Sequence, residues 1–354
     1  MQTHASGPLP VELVFSPQWW NKQTGMTFDR DFFFHPARRV EDERKMEQYL
    51  YEKWGRYGLG GDRDTNRPEV GAVHLASGYL LSEMLGCKID YREAAPPNVN
   101  CLFMGELDTK PIEKAFESSA FKAFSQTRED LKTKYGYVTG DVNWSGILNL
   151  AIDLRGQELF IDMIEEPEKT TAYFSGLADM IEQFTDGLQS AANSTSVSVN
   201  RNVVHFDKPI LLHSECSLTM VSEDIYREYL MPHDIKWSRK NVPFGIHYCG
   251  QDPHRFIRAF SEIPNLAFLD VGYGGDVALI RSHLPNTFLN LRLGPVELAR
   301  ITPDEVKQTV YRLVRQAGDL RLTGLCCINI DDTVNDENVT AIFETRQELL
   351  SGKL

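Results

Sequence analysis

The feature that most constrains this chain is a regular alternation of short β-rich runs and longer helical periods, which begins near residue 136. The predicted strands occupy residues 137–143, 209–213, 244–248, 267–271, 287–292 and 321–326. The predicted helices occupy residues 167–191, 223–240, 253–262, 276–283, 303–317 and 336–350. Strands that alternate with helices in this way are typical of parallel sheets covered by helices.

The helix predicted at residues 303–317 shows how the local sequence supports this pattern. Thr302 can act as the N-cap, Pro303 suits the first helical position, and Glu305 stands where a capping box needs it. Apolar residues then recur at the spacing of one buried helix face. Gly318 follows where a left-handed backbone conformation is favoured, so both ends of this helix are encoded locally.

These six units predict an α/β fold, specifically a (β/α)8 TIM barrel, with two further strands expected near residues 100–104 and elsewhere upstream. An open, doubly wound sheet is the alternative. Against it, no GxGxxG or GxxxxGK[ST] motif follows a predicted strand. The run from Gly272 to Gly275 lacks both the spacing and the lysine of a phosphate-binding loop.

The first part of the chain is less regular. Residues 1–70 contain aromatic clusters, at Trp19 with Trp20 and at residues 32–34, together with a charged helix predicted over residues 40–57. We expect residues 1–70 to form an N-terminal extension or lid packed on the barrel, and residues 71–354 to form the barrel itself. Most of the aromatic side chains should pack the extension against the barrel, although they could also shape a substrate pocket.

Composition excludes several classes of function. The 354 residues include 37 basic and 50 acidic side chains, a net charge of −13, which disfavours binding to nucleic acid or to an anionic membrane surface. No apolar run is long enough to predict a transmembrane helix, and no signal peptide is evident. We therefore expect a cytoplasmic enzyme whose six cysteines are reduced, and not a disulfide scaffold.

Two of those cysteines lie where chemistry is expected. His247 and Cys249 are two residues apart at the end of a predicted strand, so their side chains point to the same face and supply half of a tetrahedral zinc site. Cys326 or Cys327, at the end of another predicted strand, could supply a third ligand. Three protein ligands would leave one position open, as in catalytic zinc sites. The alternative is a buried histidine beside an inert core cysteine.

This constellation resembles the uroporphyrinogen decarboxylase superfamily, and in particular its cobalamin-linked methyltransferase branch. His247-Tyr248-Cys249-Gly250 is similar to the His-x-Cys-Gly zinc motif of that branch. Residues 302–306 and 325–338 resemble its Thr-Pro helix start and its last cysteine segment, and residues 222–232 and 137–167 resemble upstream stretches. The resemblance is thin before residue 70.

The resemblance implies one Zn²⁺ ion bound by His247, Cys249 and Cys326, with Cys327 at a position usually held by glycine. It also implies a zinc-dependent methyltransferase that moves a methyl group from a small methylated ether, amine or thioether to a corrinoid (cobalamin) supplied by a partner protein. The first alternative is transfer from the methylated corrinoid protein to a thiol acceptor such as coenzyme M. A metal-free decarboxylase and a non-catalytic binding barrel are further alternatives, although the Arg-rich N-terminal motif of the decarboxylases is not found.

Four more residues are candidates for the site. Glu215 could be a fourth, exchangeable zinc ligand or an acid near the substrate, and otherwise a solvated loop carboxylate. Asp270 ends a predicted strand and could orient His247. Arg292 could bind a substrate carboxylate or pair with an acidic neighbour, and Asn143 is a further candidate for substrate binding. Both Glu215 and Arg292 depart from the pattern of the family.

Overall fold

The computed structural model describes residues 7–61, 79–135, 144–191 and 210–352. The strands, in chain order, are β1 Val11–Phe15, β2 Lys88–Arg92, β3 Ala95–Asn100, β4 Leu211–Ser214, β5 Phe244–His247, β6 Leu266–Val271, β7 Phe288–Arg292 and β8 Thr323–Ile330. The α-helices are α1 Pro17–Thr24, α2 Arg30–Phe34, α3 Pro36–Trp54, α4 Tyr79–Met84, α5 Lys110–Glu113, α6 Ser119–Tyr135, α7 Ile147–Arg155, α8 Leu159–Glu165, α9 Pro167–Ala191, α10 Glu223–Tyr229, α11 Met231–Ser238, α12 Ile257–Ser261, α13 Val277–His283, α14 Pro295–Leu298, α15 Pro303–Ala317 and α16 Asp336–Leu350.

Six of these strands form one parallel sheet, in the order β1-β8-β7-β6-β5-β4. The last strand therefore lies beside the first, as in a closed (β/α)8 barrel. The predicted α/β class and a TIM-barrel-like fold are confirmed, with six of the eight expected barrel strands present in the described ranges. The strand predicted at residues 137–143 lies outside the described residues.

Strand β1 lies within the segment that the sequence predicts to be an extension. Its residues pair in parallel with Leu325 to Ile330 of β8, and four of its five side chains are buried. Residues 11–15 therefore belong to the sheet itself. The predicted boundary between residues 70 and 71 lies outside the described residues.

The prediction of a barrel strand near residues 100–104 is wrong. Residues 101–104 form no strand, and β3, which ends at Asn100, pairs antiparallel with β2 in a separate two-stranded sheet. The backbone N–H groups of Leu102 and Met104 instead donate to carbonyls at the end of α7, those of Asp153 and Leu154. Because these amides bind a helix terminus, this segment does not join the main sheet.

Three of the six predicted helices have their expected bounds, and the helix predicted at residues 253–262 begins with a 3-10 turn, Pro253–Phe256, before α12. The helices at residues 167–191, 303–317 and 336–350 are confirmed, and α15 carries the full capping box between Thr302 and Glu305. The helix predicted at residues 223–240 instead divides into α10 and α11 around Leu230. Pro232, in the first turn of α11, lacks the N–H that a continuous helix needs, which explains the division.

The aromatic clusters near the N-terminus pack into the core. Trp19, Trp20, Phe32 and Phe33 are all buried, and their rings lie in edge-on or tilted contact with neighbouring aromatic rings. These rings therefore contribute to the hydrophobic core of the described part of the chain. Within the described ranges, every helix is too short or too polar to cross a bilayer.

Candidate metal centre

The site lies at the carboxyl ends of two neighbouring strands. Strand β4 ends at Ser214 and β5 ends at His247, and these two residues are opposite each other in the sheet. Cys216 and Cys249 each follow as the second residue beyond their strand, so both thiols lie at the same edge. In barrels of parallel strands, this edge is where catalytic groups collect.

Three potential metal ligands meet at this edge. One ligand atom from each of Cys216, His247 and Cys249 lies within 4.8 Å of the other two. His247 is buried, and the two cysteines are half-buried, so the group is accessible from one side. Two thiols and an imidazole at this separation form three of the four corners that tetrahedral zinc requires.

Asp270 orients the histidine of this group. It is fully buried on β6 opposite His247, and its Oδ2 is hydrogen bonded to Nδ1 of that ring. Burial raises the pKa of Asp270. Its interactions with neighbouring groups, of which the charge and the hydrogen bond of His247 are the largest, outweigh burial and hold that pKa below its usual value. With Nδ1 engaged by a carboxylate, Nε2 is the ring nitrogen left to bind a metal.

The two thiols of the group have different proton affinities. The hydrogen bond from Cys216 is the main reason that the pKa of Cys249 is lowered, and the His247 ring lowers it further. The same hydrogen bond, together with burial, raises the pKa of Cys216. Cys249 therefore carries the greater thiolate character, which is the form that binds metals.

The structure brings together two of the three predicted ligands. His247 and Cys249 lie in the group, whereas Cys326 lies within β8 and contacts Oδ1 of Asp270 at 3.5 Å. Burial raises the pKa of Cys326 well above its usual value. Cys327 is also buried and belongs to the apolar core.

Sequence reasoning missed Cys216 as a member of this group. The signal becomes visible only when the strand ends are known, because Cys216 follows β4 at the same distance at which Cys249 follows β5. Residues that stand equally far beyond adjacent parallel strands lie close together.

Glu215 is held in a buried network of charged groups. Its Oε1 is 2.7 Å from Nε2 of His213, whose Nδ1 is 2.6 Å from Oδ1 of Asp234, and Tyr226 donates to the second oxygen of Asp234. Burial lowers the pKa of His213, but the two carboxylates outweigh it and raise that pKa to about 10. His213 and Asp234 were also missed from the sequence, because neither lies in a recognisable motif.

Among the described residues, the network engages one oxygen of Glu215 and leaves the other without a partner. Glu215 is fully buried, so the prediction of a solvated loop carboxylate is wrong. Its Oε1 also accepts from the backbone N–H of Leu148 in the first turn of α7, while its Oε2 has no hydrogen-bond partner among the described residues. Gly146 makes this contact possible, since a Cβ there would lie 2.4 Å from Oε1.

Arg292 ends β7 beside Cys326 on β8. Its Nε and Nη1 are buried without a hydrogen-bond partner, and it forms no ion pair within the described ranges, so the predicted pairing with an acidic neighbour is not seen. Burial lowers the pKa of Arg292, but the charges of Asp270, Cys326, Cys249 and Cys216 together raise it by more. Asn143, the remaining candidate, lies outside the described residues.

Comparisons with known proteins identify the fold. No protein-family model and no curated protein sequence matches the chain. The structure is similar to that of a methyltransferase from Methanosarcina mazei, with a TM-score of 0.66 and 13% identity over 98% of this chain and 96% of that chain. It is also similar to a B12-independent methionine synthase from Shewanella sp. W3-18-1, solved with selenomethionine, with a TM-score of 0.51 and 12% identity over 98% of this chain and 100% of that chain. These similarities show that the chain has a TIM-barrel-like α/β fold.

Proposed function

We propose that the chain is a zinc-dependent methyltransferase of a corrinoid-dependent system in the cytoplasm. It would transfer a methyl group from a small methylated ether, amine or thioether to a corrinoid carried by a partner protein. The observation that carries this proposal is the group of Cys216, His247 and Cys249 at the carboxyl edge of the parallel sheet. One solved neighbour of the fold is named a methyltransferase and another a methionine synthase, which supports methyl transfer as the reaction class.

The residues present fit a zinc ion. Thiolate and imidazole are the ligands that zinc prefers, and the contact of Asp270 with His247 is the outer contact that zinc-binding histidines usually have. His247 and Cys249 are ligands in any assignment. The third thiolate comes from Cys326 if the sequence resemblance is followed, and from Cys216 if the geometry is followed.

Only one of these two thiols can bind if the site is catalytic. Four protein ligands would close the coordination sphere, as in structural zinc sites, and leave no position for a substrate. We therefore propose three protein ligands and one exchangeable position. Glu215, the residue before Cys216, is not one of the three grouped residues, but its Oε2 has no hydrogen-bond partner among the described residues.

Zinc bound in this way supplies Lewis acidity, which polarises the heteroatom of a methyl donor or lowers the pKa of a thiol acceptor. The chain's own residues do the rest. Asp270 fixes the ring plane and tautomer of His247. The buried network of His213 and Asp234 holds Glu215 in one orientation, so that its second oxygen can accept a proton or a hydrogen bond from the substrate.

The opposite direction of transfer is the second candidate. A set of two thiols and an imidazole also suits a site that activates a thiol. The methionine synthase among the fold neighbours was solved in complex with selenomethionine, the selenium analogue of a methyl thioether. In this alternative, a methylated corrinoid protein donates the methyl group to a thiol such as coenzyme M. A metal-free decarboxylase would leave His247 and Cys249 as packing residues only.

The direction of transfer is tested with free cob(I)alamin. Purified zinc-loaded protein is mixed with cob(I)alamin and a panel of methyl ethers, methylamines and methyl thioethers, and the conversion to methylcobalamin is followed by absorbance. The proposal expects conversion with at least one donor and none in Cys249→Ala. Transfer from methylcobalamin to a thiol, without reaction of any methyl donor, would instead support the second candidate.

The third ligand is tested by metal content. Cys216→Ala and Cys326→Ala are purified without chelator, with Cys101→Ala as a control. Cys101 is half-buried beside the carbonyl of Ile152 and belongs to no group of potential metal ligands in the described part of the chain. We expect one of the first two variants to lose zinc and the control to retain it. Retention of zinc in both variants would contradict the proposed ligand set.

A further inference from the structure

The environment of Arg292 differs from those of Arg281 and Arg155. Arg281 donates to the backbone carbonyls of Ala317, Leu284, Thr287 and Leu322. Arg155, likewise partly buried, is paired with Asp162 at 2.7 Å. The guanidinium of Arg292, in contrast, has buried Nε and Nη1 groups that donate to no described residue.

The position of Arg292 directs its side chain toward the site. Asn290 lies two residues earlier on β7 and donates to Oδ1 of Asp270 in the interior of the barrel. Alternate residues of a strand point to the same side, so Arg292 also points inward, one step nearer the carboxyl edge. Its positive charge interacts electrostatically with the carboxylate of Asp270 and with the thiol groups of Cys249 and Cys216.

The nearby acidic group, Asp270, does not accept a hydrogen bond from the buried Nε or Nη1 of Arg292. Its Oδ2 is hydrogen bonded to His247, and its Oδ1 accepts from Asn290 and Cys326. A buried cationic donor without an acceptor is unfavourable, and a fold tolerates it where a ligand supplies the acceptor. Arg292 is only half-buried as a residue, so it is not sealed from the open side of the sheet.

We propose that the small substrate carries a compact anionic group, a carboxylate or a sulfonate, which binds the guanidinium of Arg292 while the methyl-bearing or thiol end reaches the metal. This inference rests on the proposed function and specifies its substrate class. Guanidinium groups form two parallel hydrogen bonds with such planar or trigonal oxyanions. The anion would satisfy the donors of Arg292 and fix the orientation of the substrate relative to His247 and Cys249.

The test uses small thiols as probes, because a thiolate can occupy the open metal position in either direction of transfer. The zinc-loaded protein is titrated by calorimetry with 3-mercaptopropionate, 2-mercaptoethanesulfonate, neutral 3-mercaptopropanol and cationic cysteamine. We expect the two anionic thiols to bind about tenfold or more tightly than the neutral thiol, a ratio typical of one charged contact. In Arg292→Gln this preference should fall to about onefold, while the affinity for 3-mercaptopropanol and the zinc content stay unchanged.

The control variant is Arg300→Gln, since Arg300 is exposed and lies on the same connection after β7. It should keep the preference for anionic thiols. The inference would be overturned if the wild type bound all four thiols with equal affinity, or if the preference for anionic thiols persisted in Arg292→Gln. Either result would leave the zinc methyltransferase proposal intact.

Failure of the metal site gives a different result. If the protein holds no zinc, the proposed function fails, and the anion site is then measured without it. In that case 3-(methylthio)propanoate is compared with 3-(methylthio)propanol by ligand-observed NMR, in the wild type and in Arg292→Gln. A preference for the acid that depends on Arg292 supports the inference, and no preference overturns it.

Discussion

Replacing His213 by glutamine should destabilise the protein strongly, because His213 joins two buried carboxylates. Its ring nitrogens lie 2.6 Å from Asp234 and 2.7 Å from Glu215, and all three side chains are fully buried. Glutamine carries no charge and can donate to only one of the two carboxylates. Removing one partner from a buried ionic group costs about 3 to 5 kcal/mol, since the remaining charge is left uncompensated.

The measurement is urea-induced unfolding at pH 7, followed by circular dichroism, with His233→Gln as the matched control. His233 is half-buried and packs against Trp237, but it contacts no carboxylate at hydrogen-bond distance among the described residues. We expect the control to lose less than about 1 kcal/mol. A similar small loss in His213→Gln would refute the claim that His213 is a charged bridge between Asp234 and Glu215.

Two further predictions concern other groups. Asp270→Asn should weaken zinc binding by about 10- to 100-fold, because the carboxylate that orients His247 is lost; competition with a chromophoric chelator measures this, and an unchanged affinity would contradict it. Glu182→Gln should lower the free energy of unfolding by about 1 kcal/mol at pH 7, because ion pairs with Lys236 and Lys240 overcome the effect of burial and lower the pKa of Glu182 to about 2. This stabilisation is present above the ordinary pKa of the carboxyl and is lost as the pH falls toward 2. The free energies of unfolding of the wild type and Glu182→Gln, measured by chemical denaturation, should therefore differ most at pH 7 and become more similar as the pH is lowered.

The parts of the fold that local sequence encodes were predictable. Helix α15 has its N-cap, capping box and terminal glycine within the residues that form it, and its bounds are as expected. Strand β1 has no such local signal beyond a short apolar run. It is a strand because it pairs with β8, which lies more than three hundred residues later in the chain, and this pairing depends on the closure of the sheet.

In the candidate site, too, the local sequence predicts some contacts, whereas others depend on the folding of the whole chain. His247 and Cys249 share one strand end, so their proximity follows from the two-residue period of a strand. Cys216 comes from the neighbouring strand, and its approach depends on the β4–β5 register, which the sequence does not specify. The burial of Glu215 depends on His213, Asp234 and a helix N-terminus, three contacts that arise only in the folded chain.

The central claim is that this edge of the sheet holds one zinc ion. The most direct measurement is the metal content of the protein purified without chelator, by inductively coupled plasma mass spectrometry, alongside Cys249→Ala. We predict about one equivalent of zinc per chain in the wild type and almost none in the variant, because the substitution removes one of the grouped ligands. Less than about half an equivalent in the wild type, or full retention of the metal in Cys249→Ala, would contradict the account.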